Sequence, residues 1–428
     1  MSKNGDHSIP MGKTRRGIIL GAATAKAGIH RAMHITRRPF ITESQREEAE
    51  TDNNRELADI MFKALATLRG TALKVAQVLA LEAEWFPESV RCELAKACYQ
   101  VPPINRALTL KVIRTHVGPQ YRNRLKNLNL TPFAAASLGQ VHAATHPDGK
   151  LLAVKIQYPG IAEGIASDIQ WLKTLLRPTP YFPLFKDTIP IVERTIREEL
   201  DYTREAANTR IFLETLPPDR FTIPAVIPGL SCERILTTTR ISGLHLREWL
   251  DSQPSQEQRN HFGQALADAF VFTLNRLSCL HADPNPGNYL FMNDGRLGIL
   301  DFGCVCQLTS ETREALLDLI SPDRVPVKAL ASRAAETFGF HFREKMPANT
   351  KRSIMEDWIT CVRRPFDPGG FDFSQSDDYF KTAGNIDRRL MQSLNRYQSR
   401  FVYAGRAIHG LIRMLAAIQA KGRFQLDT

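Results

Sequence analysis

No apolar run in these 428 residues approaches the ~20 consecutive residues that a membrane-spanning helix needs, so no transmembrane helix is expected. No Cys-x2-Cys pair occurs either, and the seven cysteines (Cys92, Cys98, Cys232, Cys279, Cys304, Cys306 and Cys361) make an odd total. That pattern speaks against a zinc site and a disulfide framework, and it predicts reduced thiols in a cytoplasmic protein. Acidic residues are nearly missing from the start of the chain. Residues 1–40 set eight Lys/Arg against Asp6 alone, so +7 of the total +11 sits there. The remainder is close to balanced, and no nucleic-acid partner is expected of it. Hydrophobic and charged contents of 43% and 24% are those of a globular protein, long enough for two or three domains or a two-lobed body with an extension.

Thr14-Arg15-Arg16 before Gly17-Ile18-Ile19-Leu20 invites a twin-arginine export reading, but the apolar stretch is short and Lys26 breaks it. A short helix fits better, with Ile18, Ala22, Ala25 and Ile29 on one side and basic residues on the other. Such a helix suits peripheral attachment to an anionic membrane surface. A loosely ordered basic tail packed on the body is the alternative. Residues 41–55 read as a polar linker. From 56 to 85, Leu57, Met61, Leu65, Leu68, Ala72, Val75 and Leu79 recur at helical spacing, with Lys74 and Gln77 three apart on one face. Further helices are expected over 88–100 and about 109–117.

The centre of the chain is His281-Ala282-Asp283-Pro284-Asn285-Pro286-Gly287-Asn288, with Asp301-Phe302-Gly303 beginning thirteen residues after Asn288. Between them, Tyr289–Phe291 and Leu297–Ile299 flank Asn293-Asp294-Gly295, which predicts a β-hairpin. Asp283 and Asn288 stand at its entrance and Asp301 at its exit. Hard oxygen ligands so placed suit a divalent metal held against phosphate, with one carboxylate left to orient a hydroxyl or water. The spacing matches the catalytic core of the protein-kinase-like fold.

Upstream, 133–142 and 151–157 read as strands around a turn at Pro147-Asp148-Gly149, and Lys155 in Ala153-Val154-Lys155 stands where a phosphate-binding lysine belongs. A glycine-rich loop is missing. Ala134-Ala135-Ala136-Ser137-Leu138-Gly139 stands in its place, and alanine Cβ atoms restrict the close approach of amides to phosphate. One continuous helix is expected over 191–213, placing Asp201 and Glu205 on a shared face with Glu205 as the partner of Lys155. Strands are expected over 221–227 and 234–241, with Thr239 in a hinge along which adenine lies.

With these residues together, the chain resembles the UbiB/AarF family of atypical kinases over residues 56–425. The resemblance is carried by Lys74-Val75-Ala76-Gln77, the alanine-rich stretch to His142, Lys155, Glu199-x-Asp201 with Glu205, and the two central motifs. It implies an α+β, bilobal protein-kinase-like fold with a helical N-terminal extension. The expected division is a basic segment and linker over 1–55, the extension over 56–130, a small lobe over 131–243, and a mainly helical large lobe over 244–428. It further implies ATP or ADP with Mg2+, held by Asn288 and Asp301, Lys155 and the loop residues Ala135, Ala136, Ser137, Gly139 and Gln140. Asp283 is the catalytic carboxylate. Lys74 and Gln77, with Glu199 pairing to Lys74 and Asp201 beside it, would occlude the place of a protein substrate. Isoprenoid lipid and quinone-biosynthesis proteins are the implied partners. Ala76 replaces the family's glycine, and Asn285 replaces a histidine.

Three functions follow in order of preference. They are ATP hydrolysis or small-molecule phosphotransfer supporting isoprenoid-quinone or other lipid metabolism, a nucleotide-gated binding module without turnover, and a protein kinase. Helices are expected over 246–250, 259–279, 310–320 and 327–338, a loop over 367–378, and one last helix over 386–420, interrupted by Arg400, Arg406 and Arg413.

Overall fold

A computed structural model describes residues 13–37, 104–136, 138–177, 189–397 and 402–424, with the single residues Thr42, Ala49, Glu56 and Ile60. Lys74, Ala76, Gln77 and Ser137, and the helices expected over 56–85 and 88–100, lie outside the described residues. The chain divides into two units, Met1–Leu200 with Glu233–Ile235, and Asp201–Cys232 with Leu236–Thr428.

In the first unit, helix α1 covers Lys13–Arg37 and α2 covers Arg106–His116, capped by the Asn105 side chain on the Leu108 amide. Strands β1 (Ala134–Ala136), β2 (Gly139–Thr145) and β3 (Leu151–Gln157) form an antiparallel meander. Alternation in β3 sends Leu152, Val154 and Ile156 into the core and Ala153 and Lys155 to the other face. Where the chain re-enters the unit, the Gln157 amide donates to the Arg234 carbonyl (3.1 Å), and strand β5, Ile235–Thr239, begins. A helix absent from the sequence reading follows β3. Tyr158-Pro159-Gly160-Ile161 forms a tight turn with Gly160 at φ 74, and α3 (Ile161–Leu176) starts there. Its Ile165 and Ile169, one turn apart, are buried. Helix α4 (Ile189–Glu199) packs against it.

The second unit opens with α5, Tyr202–Thr215. The single helix expected over 191–213 is therefore broken. Asp201 is extended (φ −101, ψ 94), and its carboxylate accepts from Thr203 N (3.0 Å) and Oγ1 (2.5 Å) as an N-cap. A capping residue cannot share a helical face with Glu205. Strand β4 (Phe221–Thr222) runs parallel to β8 (Leu297–Ile299), which pairs antiparallel with β7 (Tyr289–Phe291). Strand β6 (Cys279–His281) pairs with β9 (Val305–Gln307). Helices α6 (Leu246–Asp251) and α7 (Gln256–Phe272) bring Trp249 and Phe262 onto Phe291, with ring centroids 4.3 and 4.9 Å away. Helices α8 (Ser310–Ile320), α9 (Val327–Thr337), α10 (Ala348–Arg363) and α11 (Asp377–Ser393) complete a helical body. Buried Arg363 donates to the last carbonyls of α8, those of Asp318 (2.5 Å) and Leu319 (3.3 Å). The last long helix is also broken. Strand β12, Leu394–Tyr397, pairs with β10, Phe340–Phe342, before α12, Val402–Ala417. The 367–378 region is not simply a loop, since it holds strand β11, Phe371–Asp372.

One buried polar network ties β2 to α2. The Asn129 carbonyl accepts from His142 Nδ1 (2.8 Å), which leaves Nε2 to accept from the Gln140 amide (2.7 Å). That amide also donates to Thr109 Oγ1 (3.2 Å), and its oxygen accepts from the Ile104 amide (2.9 Å). Burial pushes the His142 pKa down, and a proton on Nε2 would set two donors face to face. Stability from neutral His142 is therefore complete above its unfolded value of about 6.5 and is lost as pH falls below it. Replacing His142 by Gln should reduce the loss of melting temperature between about pH 7.5 and about pH 5.5. An equal loss in both proteins would rule the network out as its cause.

Candidate active site

The hairpin forms as its sequence predicts. Gly295 takes φ 84 in the turn, the Gly295 amide donates to the Met292 carbonyl (3.1 Å), and Tyr289, Leu290 and Phe291 face Ile299, Gly298 and Leu297. One more bond, Leu300 N to the Asn288 carbonyl (2.9 Å), closes its open end and sets Asn288 opposite Leu300, one residue before Asp301. The ladder of β6 and β9, continued by Ala282 N on the Cys304 carbonyl (2.8 Å), lays Asp283 along the segment after Asp301. His281 Nε2 donates to the Asp301 carbonyl. Asp283, Asn288 and Asp301, expected from the motif as one catalytic carboxylate and two metal ligands, thus lie on neighbouring backbone.

Each is held by hydrogen bonds of its side chain. Asp301 Oδ1 accepts the Gly303 amide (2.9 Å). The Asn288 amide nitrogen donates to the Asp283 carbonyl (3.1 Å) and to its Oδ2 (3.2 Å), which turns the Asn288 carbonyl oxygen away from Asp283. Asn285 Oδ1 accepts the Gly287 amide (3.0 Å) and so shapes the turn that delivers Asn288. The residue at this departure from the family pattern has a local structural task. Asp283 Oδ1 accepts from Arg406 Nη2 at 2.8 Å, in a pair whose side chains are 16% and 3% exposed. Arg406 comes from α12, and Gly410, one turn later, packs so tightly on Pro284 that a Cβ has no room.

Helix α5 fastens the Asp301 segment from another side. Glu205, Asn208 and Phe212, spaced i, i+3 and i+7, share one face. Asn208 Nδ2 donates to the Phe302 carbonyl (3.0 Å), and the Phe212 ring lies 4.6 Å from that of buried Phe302. A Cβ on Gly303 would stand 3.4 Å from Glu205 Oε2 and 3.1 Å from Asp301 Oδ1, so glycine lets buried Glu205 reach this backbone. The sequence reading missed Asn208, Phe212, Arg406 and Gly410. The i, i+3, i+7 spacing was the signal for the first two. An arginine four residues before a glycine in an otherwise apolar helix was the signal for the others.

The remaining predicted residues are placed as follows. Lys155 is half-buried on β3, opposite Val141 and diagonal to Ala143 across β2, on the face that also carries Ala153. Ala136 pairs with Gly139 and Ala135 with Gln140, so the alanine stretch is a strand of a tight hairpin. Gln140 is buried, its amide committed to the network above. Thr239 exchanges bonds with Ala225, its amide donating to the carbonyl (2.8 Å) and its Oγ1 accepting the amide (2.9 Å). Glu199 is buried at the end of α4, and Asp201 caps α5.

The donor set tests what ions fit. Among the described residues no group of three His, Cys, Asp or Glu could hold a metal unaided. One amide oxygen and one carboxylate suit Mg2+ whose other positions are filled by phosphate oxygens and water, as in kinases. Burial, with Cys306 nearby, pushes the Cys279 thiol up to about 12, which keeps this thiol protonated. Burial and the Asp283 charge likewise keep the Tyr289 hydroxyl protonated.

This hairpin, with an ordered Asp-x4-Asn loop and Asp-Phe-Gly at its exit, defines a kinase-like catalytic core. The ABC1 atypical kinase-like domain matches residues 97–322, more than half of the chain. The chain belongs to that family, the one to which UbiB and COQ8 proteins belong. It is 32% identical over 252 residues to the atypical kinase COQ8B, mitochondrial, of Danio rerio, covering 58% of this chain and 40% of that one. Identity to the atypical kinase COQ8, mitochondrial, of Saccharomyces cerevisiae is 32% over 253 residues, covering 57% and 50%. The matched stretches thus span about half the length of these curated relatives. A solved relative, "The complex structure of Rv3197-erythromycin from Mycobacterium tuberculosis", superposes with a TM-score of 0.59 at 25% identity, covering 89% of this chain and 96% of that one. Among the described residues no helix is long and apolar enough to cross a membrane.

Removing Arg406 strands a largely buried carboxylate. Arg406→Met should destabilise the second unit by about 3 kcal/mol in denaturant unfolding, and adding Asp283→Asn should recover most of the loss. Additive losses would show that the pair does not hold α12 on the loop.

Proposed function

We propose that the protein hydrolyses ATP, or transfers its terminal phosphoryl group to a small lipid-like hydroxyl, with Mg2+. The observation that carries this is the gathering of Asp283, Asn288 and Asp301 at one end of the hairpin, each fixed by hydrogen bonds of its side chain. Bound magnesium would neutralise charge on the phosphates, with Asn288 and Asp301 as its protein ligands. Asp283 orients the attacking oxygen and accepts its proton as the bond to the terminal phosphorus forms and the bond to the leaving phosphate oxygen breaks. Lys155 supplies an ammonium for the inner phosphates and Glu205 steadies it. Because these two residues belong to different units, that pairing rests on their order in the sequence. Val141 and Ala153 offer an apolar floor for adenine, Thr239 a hinge beside it, and Ala135, Ala136, Ser137 and Gly139 cover the phosphates. Gln140 serves by anchoring its strand.

A peptide acceptor is disfavoured by the short path after Asp-Phe-Gly. Strand β9 ends at Gln307 and α8 begins at Ser310, leaving two residues where protein kinases carry an activation loop. On the family resemblance, Lys74 and Gln77, with Glu199, occupy the acceptor side, and the bilobal arrangement with its extension is part of the same reading. Its partners are isoprenoid lipid, an anionic membrane surface presenting it, and proteins of coenzyme Q biosynthesis. A second reading, nucleotide-gated binding without turnover, draws support from Arg406, which already occupies Asp283 Oδ1.

Asp301→Asn should lower magnesium-dependent phosphate release on the order of 100-fold with the fold intact. Turnover surviving that change refutes the ligand assignment. Tight nucleotide binding with no release in the wild type selects the second reading.

A further inference from the structure

Helix α11 carries Gly384 in its interior, where glycine weakens a helix relative to alanine. A Cβ added there would meet no atom within 4 Å, yet the residue is half-buried, so it borders a space and not a packed wall. At 100° per residue Phe380, Gly384, Asp387 and Met391 lie within about 60° of one another, and all four are half-buried. The other side of the space belongs to α12, whose Arg406, His409 and Arg413 also fall within about 60°. Long side chains span the gap. His409 Nε2 lies 4.0 Å from a carboxylate oxygen of Asp387, and the Arg413 guanidinium sits 5.6 Å from the centre of the Phe380 ring.

This groove has a defined inner end. Arg406 is fixed on Asp283 at 2.8 Å, and Gly410 is pressed against Pro284. From the catalytic carboxylate it runs outward to exposed Arg413, which stands two turns beyond Arg406, about 10 Å at 1.5 Å per residue. The lining selects an occupant. Besides Asp283, the two arginines and the histidine face one acid of α11, Asp387, so the walls favour a negative group. Phe380, Met391 and the bare backbone at Gly384 suit a hydrocarbon spacer. Asp283 at the inner end suits a hydroxyl. A neutral alcohol would use that inner end alone.

We infer that the groove between α11 and α12 is the acceptor subsite, and that it takes a small alcohol or phenol carrying its own carboxylate or phosphate about 10 Å from the hydroxyl. Arg413, with His409 beside it, holds the anionic group, and Arg406 walls the inner end. In the transfer the acceptor oxygen bonds to the terminal phosphorus of ATP, the bond to the ADP oxygen breaks, and the hydroxyl proton passes to Asp283. The inference rests on the phosphotransfer reading above and names the substrate class of that same site.

The test titrates ω-hydroxyoctanoate and its uncharged amide into the full chain by NMR, without nucleotide or magnesium. The wild type is expected to bind the acid on the order of tenfold more tightly than the amide. Arg413→Gln, a change at an exposed side chain, is expected to bring the two affinities within about twofold at an unchanged melting temperature. Gly384→Leu, which fills the groove, is expected to weaken both probes about tenfold or more without lowering the melting temperature. Equal binding of acid and amide by the wild type overturns the inference. So does a preference for the acid that survives Arg413→Gln, or probe binding untouched by Gly384→Leu. Magnesium-dependent phosphate release in a protein that binds neither probe overturns the subsite and leaves ATP hydrolysis standing.

Discussion

Three carboxylates, Glu205, Asp283 and Asp301, approach the paired backbone segments 281–283 and 301–303, and carboxylates so far withdrawn from water demand fixed hydrogen-bond donors. The second unit is built around meeting that demand. Arg406 reaches Asp283 from α12, the Gly303 amide turns back on Asp301, and Asn288 bridges Asp283's carbonyl and carboxylate. Two glycines permit the approach, Gly303 beneath Glu205 and Gly410 against Pro284.

The two helices that fasten the site do so by different physics. Helix α12 contributes one ion pair and one close backbone contact, strong because Arg406 is almost fully buried and costly to break on one side only. Helix α5 contributes a ring packed on Phe302 and an amide on its carbonyl, so the conformation of Asp-Phe-Gly is set by packing and hydrogen bonding within the unit. With only Leu308 and Thr309 between β9 and α8, no long segment is left to be ordered by modification.

Legibility in the sequence followed the range of the interaction. The hairpin could be read because its turn chemistry and alternation are local, and β3 with Lys155 because buried Leu152, Val154 and Ile156 alternate with it. Helix breaks could not be read from periodicity, since Asp201 continues the helical pattern of charges while its carboxylate caps the next helix. The strand at Leu394–Tyr397 exists because Phe340–Phe342, some fifty residues earlier, offers it a partner. Arg406 looked like an interruption of an apolar helix because its partner lies 123 residues upstream. The family motifs located the chemistry, while long-range pairs decided how it is held.

ATP binding measured by calorimetry, with magnesium and with a chelator, for the wild type and for Asp301→Asn, addresses the central claim most directly. If Asn288 and Asp301 hold a phosphate-bound metal, magnesium tightens ATP binding by about tenfold or more in the wild type and leaves the variant nearly unchanged. Affinity indifferent to magnesium in the wild type, or equal tightening in both proteins, would contradict the account.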